Sequence, residues 1–311
     1  MGRGDLTNAE WERLESFLPP GGARGGRWSD HRRVINGVLY RVRTGVQWRD
    51  LPERFGPWET VYKRHRRWSA DGTWTMLLSR IQAAEDAAGR IDWEVPVDST
   101  AVRAHQHAAG ARRTPAATDP QMGHARGTNQ VDPVLRKLAV RLEEVVRSAS
   151  APGRSRGGFT TRIHLAADGR CRPLALVLTP GHYGDGPQLE RVLEQVSVPR
   201  PGAGRPRTRP GHVLADEAYT SVLEERRHLR RRGIRHTIPE RLDQQRHRKN
   251  RGSRGGRPTG FDSERYKKRN TVERAINRLK GFRAVATRYE KRAYIYLGTV
   301  TLAALLIWLR T

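Results

Sequence analysis

Apolar residues recur at helical spacing through the first third of the chain. In residues 5–18 they fall at Leu6, Trp11, Leu14, Phe17 and Leu18, and Asp5 or Thr7 is placed to cap the helix this predicts. A glycine-rich linker follows over 19–27. Residues 30–43 then repeat apolar positions at Val34, Ile35, Val38, Leu39 and Val42, one face of a second helix that Gly45 breaks. The segment QWRDLPERFG leads to Pro57, a residue favoured at a first helical position. The third helix, PWETVYKRHRRW, has Trp58, Val61, Tyr62, His65 and Trp68 for its buried side and Lys63, Arg64, Arg66 and Arg67 for the other. A fourth is expected over 74–88.

From Glu94 the period changes. VPVDSTAVRAH is rich in β-branched residues and reads as a strand. Residues 108–130 lack periodicity and read as a loop. Strands are expected over 160–166 and 172–179, joined at Asp168-Gly169 as a hairpin. GPQLERVLEQV predicts a helix, HVLA a short buried strand, and Ser221 with Glu224 a capping box opening another helix. IRHTIP is a further strand. Residues 246–260, basic and glycine-rich, read as a loop that packs no core, and helices close the chain from about 270 to 310. The order after residue 93 is that of a mixed α/β sheet with helices on its faces. The longest apolar run, about 297–309, is too short for a membrane span of about 20 residues and predicts a buried helix.

Charge narrows the class of partner. Lys plus Arg number 59 against 32 Asp plus Glu, a formal charge of +27 over 311 residues. A field of that size suits a polyanion such as DNA rather than a small acidic metabolite. Eight Trp and 36% hydrophobic residues exclude a disordered basic tail. The lone Cys171 excludes an internal disulfide framework and a cysteine-rich zinc site, and fits a reducing compartment. No apolar run follows Arg3, so no secretory signal is expected and the chain is read as cytoplasmic and nucleoid-associated. The basic third helix has the layout of a helix-turn-helix reader, with Thr60, Lys63, Arg64 and Arg67 towards DNA. The same residues would also make a solvated face on an ordinary bundle. The pair His105 and His107 lacks a third ligand nearby in sequence and does not predict a zinc site.

In so basic a chain, carboxylates in buried strands need a cause. Asp98 lies inside the first strand after Glu94, and Asp216 ends HVLA. Asp is disfavoured in strands, and burying it ionised is costly unless it is paired or binds metal. Strand carboxyl ends are where α/β sheets collect ligands. Glu273 is the third candidate. At about 100° per residue, Tyr266, Arg269, Glu273 and Lys280 share one stripe about 60° wide, beside an apolar stripe of Val272, Ala275, Ile276 and Leu279. Asn270 with Glu273 could equally be a capping box. Three convergent carboxylates suit two-metal phosphoryl transfer.

The pattern Tyr266-x2-Arg269-x3-Glu273-x6-Lys280 resembles the signature of bacterial insertion-sequence DDE transposases of the IS-four/IS-five superfamily. VDSTAVRAHQH around Asp98 and LADEAYTS around Asp216 resemble that family's acidic motifs. LTNAEWERLESFLPP with WRDLPERFGPWETVYKRHRRWSADG resembles the DNA-binding region of the IS-five branch, and TRYEKRAYIYLGTVTLAALLIWLR its C-terminus. Glu217 departs from the pattern, standing where a basic residue is expected and adding negative charge beside the site. The resemblance implies a helical DNA-binding region, 1–92, and an RNase H-like catalytic region, 93–311, with a basic glycine-rich loop near 240–262. It implies Asp98, Asp216 and Glu273 as catalytic residues holding Mg²⁺, or Mn²⁺ in its place. It also implies binding to transposon ends and target DNA, as a homodimer or higher oligomer and without a membrane. Tyr266, Arg269 and Lys280 are expected to contact DNA, as are Arg248, Lys249, Arg251 and Arg254 in a basic clamp over 246–257 that is disordered when free. Two alternatives share this scaffold: a catalytically impaired DNA-binding protein, and an RNase H-like nuclease that cuts without joining.

Overall fold

The computed structural model describes residues 2, 4–18, 30–109, 152–155, 158–219, 223–258 and 260–311. The linker over 19–27, most of the 108–130 loop and Ser221 of the expected capping box lie outside the described residues. Four helices open the chain: α1 (Asn8–Glu15), α2 (His31–Thr44), α3 (Trp58–Ala70) and α4 (Thr73–Ala87). Of the two expected caps for α1, Thr7 is the one used, in a reciprocal capping box with Glu10. Asp30 caps α2 through the Arg32 and Arg33 amides, and Gly45 ends it at a left-handed φ of 72°.

The sheet consists of β1 (Glu94–Ala104), β2 (Gly153–Ser155), β3 (Gly158–Ala167), β4 (Pro173–Pro180), β5 (His212–Ala215), β6 (Arg235–Thr237) and β7 (Thr287–Arg288). β3 runs antiparallel to β1 on one edge and to β4 and the short β2 on the other. β5 lies parallel to β1 on its far side, and β6 parallel to β5. Three antiparallel strands followed by two parallel ones give the RNase H-like mixed sheet expected from the sequence. The turn between β3 and β4 is tightened by Cys171, a non-glycine residue at φ 63°. Buried Asp168 satisfies it by accepting from the Arg170 and Arg172 amides.

Between β4 and the C-terminus lie α5 (Gln188–Gln195), α6 (Leu223–Arg231), α7 (Leu242–Asn250), α8 (Ser263–Lys267), α9 (Asn270–Lys280) and α10 (Ala293–Leu309). Every residue of α10 is buried, which explains its lack of a polar face. It packs among α2, α3 and α4, and a Cβ at Gly298 would collide with the Ser69 side chain on α3. The helical region and the sheet therefore share one continuous apolar cluster, from Leu6 to Leu309. No helix among the described residues is long and apolar enough to cross a membrane.

Two expectations are corrected. The segment over 246–257 is not a loop at its start: Leu242–Asn250 is helical and Gly252–Gly255 forms a short 3₁₀ turn. The α7 sequence LDQQRHRKN contains no Gly or Pro, and none of its residues is buried. A search for an apolar face therefore misses it. Tyr266 also does not share a helix with Glu273. It sits on α8, and the chain re-enters helix after Arg269, which precedes α9 in right-handed helical conformation.

Candidate active site

The register of the central strands decides which side chains meet. Val97 of β1 faces Ala215 of β5, so the next residues, Asp98 and Asp216, emerge side by side beyond the paired stretch. Helix α9 lays its apolar stripe of Val272, Ala275, Ile276 and Leu279 into the core beside β1 and β3. That orientation leaves Glu273, in its first turns, on the open side. Lys268 and Arg265 anchor the α8–α9 junction to Glu94 at the start of β1, at 2.8 and 3.2 Å.

The three carboxylates converge on one guanidinium. Arg269 lies 2.9 Å from Asp98, 3.5 Å from Asp216 and 2.7 Å from Glu273. Asp98 Oδ1 also accepts from the Ser99 amide at 2.7 Å, and Asp216 Oδ1 from the Glu217 amide at 2.6 Å. Burial raises the pKa of Asp98, helped by its two carboxylate neighbours and opposed by the Ser99 amide and Arg269. Burial alone would lower Arg269, but the acidic groups around it outweigh burial and hold it above its ordinary value. Tyr266 donates its hydroxyl to Asp216 Oδ1 at 3.4 Å, and burial next to that carboxylate raises its pKa. Lys280, two turns further along α9, reaches Thr100 Oγ1 on β1 at 3.3 Å. Glu217 is exposed.

Three carboxylates around one guanidinium leave two negative charges uncompensated at the centre, so the cluster attracts cations. Its donors are all hard oxygens of the kind Mg²⁺ and Mn²⁺ prefer. As they stand they splay around Arg269, and among the described residues no three His, Cys, Asp or Glu side chains are grouped to hold a metal ion. The donor chemistry is of the kind a divalent ion takes, and Arg269 occupies the space between the carboxylates.

Sequence reading missed a second layer. Asp185, in the loop after β4, accepts from Ser99 Oγ at 2.7 Å and pairs with Arg162 at 2.7 Å. Its carboxylate lies 3.7 Å from buried His164, whose pKa burial pushes down to about 4 against the pull of Asp185. Tyr219 of the DEAY segment is buried nearby, and burial, with Asp185 and Asp98, raises its pKa. The signals were faint: an Asp in GHYGDG and a Ser directly after Asp98.

The expected DNA-facing residues distribute unevenly. On α3, Lys63 and Arg67 are exposed and Thr60 is half-buried. Arg64 is packed down, 2.8 Å from His31 Nδ1 and 5.2 Å from the Trp68 ring centre, and burial lowers its pKa to about 10. On α7 and beyond, Lys249, Arg251 and Arg254 are exposed, whereas Arg248 forms a two-pronged ion pair with Glu240 at 2.9 and 3.2 Å.

An RNase H-like sheet with carboxylates converging from two neighbouring strands and a covering helix defines a protein of the polynucleotidyl-transfer class. Residues 90–308 match the family described as "Transposase DDE domain", and residues 6–78 the one described as "Putative transposase of IS4/5 family". The chain belongs to the DDE-domain transposases of insertion sequences. It is 35% identical over 161 residues to a "Putative transposase for insertion sequence element IS6501" of Brucella ovis, covering 49% of this chain and 100% of that one. It is 42% identical over 110 residues to "Uncharacterized protein y4sN" of Sinorhizobium fredii, covering 35% of this chain and 83% of that one. A "Putative transposase for insertion sequence element IS402" of Burkholderia cepacia is 34% identical over 147 residues, 47% of this chain and 62% of that one. No solved structure matches the chain.

Proposed function

We propose that this transposase binds the terminal inverted repeats of its insertion sequence and cuts and joins DNA at a divalent-metal centre built from Asp98, Asp216 and Glu273. The observation that carries this reading is the convergence of three carboxylates, 118 and 57 positions apart in sequence, around the Arg269 guanidinium. The same residues would hold Mg²⁺, or Mn²⁺ in its place. Bound there, the ion supplies Lewis acidity to the phosphate and acidifies the attacking hydroxyl. Arg269, released from the carboxylates, is a bidentate partner for the phosphate flanking the scissile bond. Tyr266 and Lys280 hold the same strand from either end of the α8–α9 segment.

Residues 1–92 form the end-reading region in this account and 93–311 the catalytic one. Lys63 and Arg67, with Thr60 beside them, contact terminal-repeat DNA from α3. Arg64 supports that face through His31 and Trp68. Lys249, Arg251 and Arg254 clamp the backbone without sequence preference, with Arg248 fixing α7 to Glu240. Both substrates are double-stranded DNA, transposon end and target. Two ends must meet before joining, so the active form is a homodimer or higher oligomer.

The test is an in vitro reaction with DNA carrying the element's ends, a target plasmid and Mg²⁺. Joined products are expected. Cutting without joining would support the nuclease alternative, and binding without cutting the impaired DNA-binding protein.

A further inference from the structure

The face of β1 turned away from α9 carries a polar cluster of its own. Side chains alternate along a strand. Asp98 and Thr100, which meet Arg269 and Lys280, share the α9 side, so Ser99 points through to the other. There it stands opposite His164 of β3 and donates its hydroxyl to Asp185 Oδ1 at 2.7 Å. Arg162, two residues before His164 on the same face, donates to that same oxygen at 2.7 Å.

The loop that carries Asp185 is fixed at both ends. The Gly181 amide donates to the Thr160 carbonyl at 3.0 Å, and the Asp185 carbonyl accepts from the Gln188 amide at 2.9 Å, where α5 begins. A Cβ at Gly181 would collide with the Thr160 side chain. Asp185 is therefore brought to Ser99 by a chain path with little freedom. Buried Tyr219 arrives at the same place from β5. Its hydroxyl lies beside Ser99 and feels both Asp185 and Asp98, and its amide donates to the Asp216 carbonyl at 3.0 Å.

This cluster bears on how Asp98 is aimed. Asp98 Oδ1 accepts from the Ser99 amide at 2.7 Å, and Oδ2 meets Arg269 at 2.9 Å. The peptide plane between residues 98 and 99 thus decides which oxygen turns to the centre of the site. A serine hydroxyl has one proton to donate. Given to Asp185, it fixes the Ser99 side chain and, through it, that peptide plane. We infer that Asp185 is a positioning residue for Asp98, acting through Ser99 from the opposite face of the sheet. The strand lies between Asp185 and the three carboxylates, so Asp185 touches no reacting atom. The inference rests on the reading of Asp98 as part of a metal-dependent cleavage centre.

The experiment has two readouts. One is single-turnover cleavage of terminal-repeat DNA in Mg²⁺ at saturating end occupancy. The other is Mn²⁺ uptake by the DNA-free full chain, read from the paramagnetic resonance of the free ion. Asp185→Ala and Ser99→Ala should each slow cleavage and weaken Mn²⁺ uptake by about 10–100-fold, the usual cost of losing a hydrogen-bond partner behind a metal ligand. End-binding should stay at the wild-type level. The double variant should be no worse than either single one, because both remove the same link. Asp185→Asn keeps the accepting oxygen and Ser99→Thr the hydroxyl, so each should recover most of the loss. Ser99→Ala leaves the Arg162–Asp185 pair intact and decides the matter if Asp185→Ala fails to fold. Wild-type cleavage and Mn²⁺ uptake in Ser99→Ala overturn the inference. So do additive losses in the double variant, or an Asp185→Asn as impaired as Asp185→Ala. A wild type that neither cuts nor takes up Mn²⁺ overturns the metal reading beneath it.

Discussion

At the scale of single residues the decisive contact is Arg269, whose partner Asp98 lies 171 positions away. It holds together three carboxylates that would otherwise repel one another. Arg269→Gln is therefore expected to destabilise the metal-free protein by about 1–3 kcal/mol, between the worth of a surface pair and a buried one. The loss should be reversed by millimolar Mg²⁺ or Mn²⁺, because the freed carboxylates then take the ion. Thermal melts with and without metal check both halves. A variant as stable as wild type without metal would show that the bridging contact carries little. Asp98 and Asp216 were legible from sequence because an Asp within or ending a buried strand is anomalous whatever surrounds it, and Glu273 because it lies on a polar stripe beside an apolar one. The bridge was not, since nothing in the spacing of residues 266–280 says that the guanidinium turns towards β1 and β5 rather than outwards. Asp185 was missed for the same reason, as its importance lies in reaching Ser99 across 86 positions.

At the scale of elements, α3 and α10 meet through a polar pair in an apolar seam. Trp74 Nε1 donates to His65 Nδ1 at 3.1 Å, and an indole can only donate, so Nδ1 carries no proton. His65 Nε2 then donates to Thr299 Oγ1 at 3.2 Å, whose own hydroxyl donates to the Ile295 carbonyl. Burial, reinforced by Arg41, lowers the His65 pKa to about 3. The unfolded chain takes up this proton near pH 6.5. Stability from a neutral His65 is thus complete above pH 6.5 and is lost as pH falls from 6.5 towards 3, by up to about 1.4 kcal/mol per unit. Urea midpoints should fall between pH 7 and pH 5, with a shallower fall in His65→Gln. A pH-independent midpoint would contradict the burial of His65 in its neutral form. At the same seam, Gly298→Ala should cost about 1–3 kcal/mol, read as a lowered Tm, because its methyl meets Ser69. On the outer side of α3, Lys63→Ala with Arg67→Ala should weaken terminal-repeat binding by about 1–3 kcal/mol per base-reading contact. Unchanged gel shifts would reduce α3 to a solvated basic face. Helices with an apolar stripe were readable from sequence, while α7 and the two-residue β7 were not. The first has no buried side, and the second is too short to show a period.

At the scale of the whole molecule, the helical region and the sheet fold around each other. Buried Arg172, on the turn after β3, ties the two together. It pairs with Asp168 at 2.6 Å and with Glu85 of α4 at 3.3 Å, and lies 4.0 Å from the ring centre of Trp308 on α10. Trp308 in turn donates to the Pro173 carbonyl at 2.6 Å. A fragment spanning 93–311 would expose α10, all of whose residues are buried in the full chain. It is expected to be insoluble or molten, whereas the full chain should unfold in one transition seen alike by tryptophan fluorescence and circular dichroism. A soluble, cooperatively folding fragment would show that the shared core is dispensable. Sequence showed a change of hydrophobic period near residue 93, where helices give way to the first strand. It could not read the shared core, since an all-apolar C-terminal helix does not say which neighbours cover it.

The central claim is that Asp98, Asp216 and Glu273 act as one metal-dependent centre. Its most direct test is cleavage of terminal-repeat DNA by Glu273→Gln in Mg²⁺, measured beside wild type at equal end occupancy in a gel shift. The replacement keeps the side chain's size and removes one charged ligand. Cleavage is expected to collapse while end-binding persists. Mg²⁺-dependent cleavage at the wild-type rate would show that Glu273 serves only as an ion-pair partner of Arg269, and the three-carboxylate centre would have to be abandoned.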